Sequence, residues 1–148
     1  MGFGSSGGGG QGNISTSGDV SLNNPADNQV LTYDTGTAKW QNATSGGYII
    51  NAQTGTSYTL TLADTNKFIT FSNAGAISLT VPTNAAVAYP IGSSIKFAQI
   101  GAGQVTVVAA SGVTVSADPG LKIAARYGGA ELVKLATNTW LLVGRLSA

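Results

Sequence analysis

The sequence predicts an all-β chain. Turn-forming residues recur every eight to twelve positions from Tyr48 onward, the apolar residues between them alternate with Thr and Ser, and helical periodicity is confined to a weak trace over residues 121–127. Short strands punctuated this regularly are the pattern of an antiparallel β-sandwich or jelly roll. The 148 residues accommodate one such domain, large enough to bury a core, together with an arm and a connector.

Residues 1–23 are rich in Gly and Ser, and seven of the first twelve are glycine. That composition cannot bury a core and reads as a flexible arm. Residues 24–47 read as a β-hairpin connector. Gln29-Val30-Leu31-Thr32-Tyr33 is built of β-formers, Asp34-Thr35-Gly36-Thr37 is turn chemistry, and Ala38-Lys39-Trp40 returns as a second strand. Two strands this short are marginal alone in water. Val30, Leu31, Tyr33, Lys39 and Trp40 are therefore candidate assembly residues that need a partner surface.

Residues 48–148 read as the β-domain. Tyr58, Leu60 and Leu62 share one face, Ala63 to Asn66 turn, and Lys67 to Ser72 form the next strand. Ser72-Asn73-Ala74-Gly75 leads into Ile77, Leu79 and Val81, a ladder ended by Pro82. After the long interruption at Asn84 to Pro90, Ile95 and Phe97 resume the alternation. Ile100-Gly101-Ala102-Gly103 then makes a tight turn into Val105 and Val107. Ser111-Gly112, Asp118-Pro119-Gly120 and Gly128-Gly129 punctuate the short runs Val113/Val115, Leu121/Ile123 and Leu132 to Leu135. A last hairpin pairs Glu131 to Leu135 with Trp140 to Arg145. Trp140 opens the apolar run Trp140-Leu141-Leu142-Val143, which places it in the core or in an interface and makes it a sixth assembly candidate.

The chemistry available is narrow. There is no histidine, hence no ordinary general base at neutral pH and no Ser-His or Cys-His pair, and no cysteine for thiolate or disulfide chemistry. Of the six acids, Asp27, Asp34, Asp64 and Asp118 sit in turn contexts, where aspartate bonds nearby backbone N–H groups. A facing carboxylate pair of the glycosidase kind is not indicated. Asp19, Asn23, Asn24, Asp27 and Asn28 cluster oxygens but match no calcium loop. The glycine runs fit no phosphate-binding motif. Catalytic, cofactor-binding and metal-binding residues are accordingly not expected, and the chain reads as a non-enzyme.

Charged residues are 9% of the sequence and the net charge is +1, with the seven Lys and Arg dispersed from Lys39 to Arg145. Nucleic-acid binding, which needs clustered basic residues, is not expected, and no run suits a membrane span or a targeting signal. Low charge and weakly guarded strand edges favour burial in an oligomer. Tyr48, Tyr89, Tyr127 and Trp140 would form a sugar-stacking surface if exposed together.

The pattern Gln29-Val30-Leu31-x-Tyr33-Asp34-x-Gly36-x-x-Lys39-Trp40 resembles a module that recurs in tail fibres and other virion appendages of tailed bacteriophages. The segment Thr59 to Trp140, with LTLADTNKFITFSNAGAISLTVP and YPIGSSIKFAQIGAGQVTVVAASGVTV, resembles a β-rich domain of phage structural proteins. The resemblance implies a homotrimeric virion structural protein located on the capsid surface or a tail appendage. Within that class the expectation is a capsid decoration (cement) or head-fibre subunit that binds the major capsid protein, or another virion protein, through its N-terminal region. The alternative is a tail-fibre adaptor or receptor-binding module whose loops at 84–90 and 118–120 contact a cell-surface glycan.

Overall fold

The computed structural model describes residues 18–24, 26, 29–44 and 47–148. The expected arm lies outside them as far as residue 17, as do Asp27 and Asn28 of the oxygen cluster. The described chain is nearly all β, with one 3₁₀ turn at Leu62–Asn66, and falls into two units, Met1–Gly47 and Tyr48–Ala148.

In the first unit, β1 (Val20–Ser21), β2 (Gln29–Asp34) and β3 (Lys39–Thr44) form a sheet in the order β1-β3-β2. β2 and β3 are the expected antiparallel hairpin, with Tyr33 opposite Trp40 and Asp34 opposite Lys39. The Asp34 carboxylate accepts the Gly36 N–H at 2.8 Å, and Ala38 completes the turn with φ +54°. β1 pairs parallel to β3, so Val20 and Ser21, expected in the arm, belong to this sheet. Asn42 ties them down: its side-chain oxygen accepts the Asn23 N–H at 2.7 Å while its amide donates to the Asn23 carbonyl at 2.8 Å. One side chain there imitates a peptide group.

The second unit has two mixed sheets. The first contains β4 (Ile49–Gln53), β6 (Lys67–Phe71), β8 (Ser94–Gln99), β12 (Gly129–Ala136), β13 (Thr139–Gly144) and β10 (Thr114–Ala117), in the order β10-β13-β12-β8-β6-β4. The second contains β5 (Ser57–Thr59), β7 (Ile77–Val81), β9 (Val105–Ala109), β11 (Lys122–Ile123) and β14 (Leu146–Ser147), in the order β14-β11-β9-β7-β5. From β4 to β9 the chain alternates strictly between the two. It thus winds through three turns in which β4, β6 and β8 pair parallel on one side and β5, β7 and β9 pair parallel on the other. The β12-β13 hairpin then adds antiparallel to β8.

This corrects the expectation of antiparallel sheets. Five of the nine ladders in the unit are parallel, and Lys67–Phe71 does not fold back on Ile77–Val81. The reason lies in the corners. The segments after β6 and β8 carry the chain to the opposite sheet, and each is stacked on the corner before it. Ser72 N–H donates to the Gln53 carbonyl, Ile100 N–H to that of Phe71 and Gly103 N–H to that of Asn73, at 2.8, 2.7 and 2.8 Å. A Cβ at Gly103 would fall inside the Gly75 carbonyl oxygen, and one at Gly101 would collide with the Asn73 backbone. Glycine is needed at both positions for close approach of backbones.

Alternating side chains from both sheets make one core, including Phe71, Phe97, Leu79, Val107, Leu132 and Trp140, each no more than 1% exposed. Phe71 and Phe97, on neighbouring strands, meet edge to face at 6.2 Å.

Candidate interaction surface

The two sheets differ in the faces they turn away from that core. On the five-stranded sheet, Ser57, Ser78, Thr106, Lys122 and Ser147 align in one row across five strands, with Thr59, Thr80 and Val108 in the next. This surface is lined with hydroxyl groups. On the six-stranded sheet the corresponding row is Val143, Glu131, Lys96, Phe68 and Ile50, with Ser116, Leu141, Val133 and Ser94 in a flanking row. Ile50 is 60% exposed and Val143 44%, and Tyr48 stands at the margin at 53%.

Lys96 and Glu131 are the charged residues in the middle of this apolar face, 3.7 Å apart. The Ser94 hydroxyl donates to Glu131, and the Lys96 ammonium donates to the Tyr48 hydroxyl at 2.7 Å. The bond to Tyr48 holds Lys96 above the ordinary amine range, burial opposes this, and Glu131 reinforces it. Tyr48 rests against Phe68 with ring centroids 6.1 Å apart. Beside these groups, glycines at 129 and 144 leave a shallow depression of about 360 Å³ bordered by Phe68, Lys96 and Val143. The face is therefore more apolar than the other, grooved, and marked at its centre by one ion pair.

The assembly candidates of the first unit are all described. Leu31, Tyr33 and Trp40 share one face of the hairpin, where Tyr33 and Trp40 stack edge to face at 5.4 Å. Val30 and Lys39 lie on the opposite face, by the alternation of the same strands. Val30, Leu31, Tyr33 and Trp40 are 41–51% exposed, so this hairpin leaves its largest apolar groups open to solvent. Trp140 differs. It is 1% exposed, packed against Tyr89 at 5.3 Å and 86°, and belongs to the core. The four-aromatic surface does not form either, because Tyr89 and Trp140 are buried while Tyr48 and Tyr127 are exposed.

Two buried polar centres stand out: Asp64, which caps its turn through a backbone N–H as the sequence indicated but is buried, and Lys134, which the sequence did not single out. Asp64, fully buried, accepts from Asn51 Nδ2, Tyr58 OH, Thr61 N–H and Thr61 Oγ1 at 2.8–3.0 Å, linking β4, β5 and the 3₁₀ turn. Its signal was present as Thr61-x-x-Asp64, the spacing of a capping box. Burial, and secondarily Asp64, pushes the phenol of Tyr89 well above its usual range. Lys134, 2% exposed, donates to Asn84 Oδ1 and to the Tyr89 carbonyl at 2.7 Å, with its ammonium 5.8 Å from the Trp140 ring. Its signal was its place in the inward series Ala130, Leu132, Lys134. Both centres are closed by their own partners. Among the described residues no group of three or more acids, His or Cys could hold a metal ion.

The sequence matches no protein-family model and none of the curated proteins.

Proposed function

We propose that this chain is a non-enzymatic structural subunit of a tailed-phage virion, a capsid decoration or head-fibre protein whose β-domain is a two-sheet sandwich that trimerises. The observation that carries the assembly reading is the contrast between the two outer faces, one lined with hydroxyls and the other with Ile50, Phe68, Val133, Leu141 and Val143. The hairpin adds a second apolar patch at Leu31, Tyr33 and Trp40, suited to a virion protein such as the major capsid protein. The phage assignment itself rests on the resemblance of residues 29–40 and 59–140.

Locating the protein on intact particles by cryo-electron microscopy tests this reading. Trimers in many copies on the capsid lattice would support it. A few copies confined to the tail would favour a tail-fibre or receptor-binding role, and absence from particles would refute both.

A further inference from the structure

The winding has an open end. β4 and β5 are the last strands of their respective sheets and belong to the same turn, so both sheets stop on the same side of the unit. Elsewhere the edges are guarded. β10 runs into Asp118 and Pro119, and β14 comes after Arg145 and pairs beside Lys122. Charge and proline are the usual devices that keep an edge from pairing with another chain. At β4 and β5 neither is present: from Trp40 to Ala63 the sequence has no charged residue and no proline. Ile49 and Ile50 on this edge are 66% and 60% exposed.

We infer that the open end is a strand-pairing site for a second copy of this chain, joined β4 to β4 in antiparallel register about a two-fold axis. The charge pattern selects this occupant. A self-pairing edge meets its own residues, so any charge near its centre would face a like charge across a few ångströms. An edge adapted to a different protein could carry charge and be answered by the opposite sign. The strand also suits the operation. Centred on Asn51, the sequence Ile49-Ile50-Asn51-Ala52-Gln53 sets Ile50 opposite Ala52 of the copy and Ile49 opposite Gln53. The outward pair Ile50 and Ala52 then continues the apolar row of the six-stranded sheet into the second molecule. Because β5 belongs to the same turn, its charge-free edge approaches its own copy at the same time.

The pairing does not rest on the virion reading; because Ala52 also borders the outer face, the rescue by opposite charges and the Val143 variant below separate edge pairing from contacts made through that face. Ala52 and Thr59 are exposed edge positions, so Ala52→Lys, Ala52→Glu and Thr59→Lys should fold normally, which circular dichroism verifies. In light scattering on the full-length protein, the wild-type assembly should have twice the mass of each variant. An equimolar mixture of Ala52→Lys and Ala52→Glu should regain the wild-type mass, since opposite charges then meet across the axis. Equal masses for wild type and Ala52→Lys, or a mixture that stays at the lower mass, would overturn the inference. Val143→Lys separates the two readings: it should disrupt association through the outer face and leave the factor of two set by Ala52 intact.

Discussion

The side-chain amide of Asn73 donates to the main-chain carbonyl of Thr54 at 2.6 Å, binding the corner after β6 to the corner after β4. Its oxygen accepts the Gly75 N–H at 2.8 Å, and its own carbonyl receives Gly103 N–H from the third corner. One residue therefore joins all three turns of the winding.

Asn73→Ala removes both side-chain bonds while leaving the backbone bond to Gly103. The expected loss is about 1–2 kcal/mol, from two partly exposed hydrogen bonds. A midpoint in urea indistinguishable from wild type would show that the corners are held by their backbones alone.

Gly103→Ala should be far more damaging, because the added methyl collides with a rigid carbonyl rather than a flexible side chain. A loss of about 3 kcal/mol or failure to fold is expected, of the order of severe overpacking. Gly47→Ala, with no neighbouring atom within 4 Å, should stay within about 0.5 kcal/mol and serves as the control. Thermal melts of the two variants decide the matter.

Removing the buried Asp64 carboxylate takes the acceptor from partly buried hydrogen bonds donated by Asn51, Tyr58 and Thr61. Asp64→Ala should cost about 3 kcal/mol or more. Asp64→Asn keeps the shape but turns an amide N–H₂ toward groups that already donate, and should cost about 2 kcal/mol. Wild-type stability in Asp64→Asn, measured by denaturant titration, would mean that the cluster accepts the reversed polarity.

Lys134→Ala leaves a cavity beside Trp140 and two unpaired acceptors, at Asn84 and Tyr89, for an expected loss of about 3 kcal/mol. Lys134→Met refills the volume and should recover part of that loss. Equal losses for both would assign the effect to hydrogen bonding rather than packing.

Asp34 gives the hairpin an acid limit. The Gly36 N–H, followed by the Thr37 hydroxyl, holds its carboxyl below the ordinary value of 3.8. The folded form binds its proton later than the unfolded chain as pH falls. Its stabilising effect is therefore complete above the unfolded value and lost as pH drops through the folded one. The Gly36 amide resonance should titrate with a midpoint below 3.8, and Asp34→Asn should abolish that titration. A midpoint at or above 3.8 would contradict the hydrogen-bonded turn.

Alternation at Ile77, Leu79 and Val81, and at Ile95 and Phe97, showed in the sequence which side chains are buried, because burial of one sheet face imposes period two whatever the partner strand. The partner was not legible for the same reason. Ile77 looks alike whether its strand turns back on β6 or crosses to the other sheet. A further signal was available in the agreement of Phe71 to Val81 with Gln99 to Ala109, which repeat Ala-Gly at 74–75 and 102–103 and then apolar, hydroxyl, apolar. The hairpin of the first unit was readable because its turn is local, held by Asp34 and Gly36. The apolar outer face was not, since it joins residues as distant as Ile50 and Val143, and only the strand order brings them into one row.

The winding also separates chain length from core design. Phe71 sits beside Gln53, 18 residues back, and Gln99 beside Phe71, 28 back, yet both ladders run in continuous register. The surplus is taken up in the corners and in the excursion between Val81 and Ser94, outside the straight segments that fill the interior. A tandem duplication of residues 71–98 would therefore add a rung rather than a defect, lengthening the molecule along the winding by about 4.8 Å. Reach becomes a matter of how many times one segment is copied, a quantity that recombination can change in a single step.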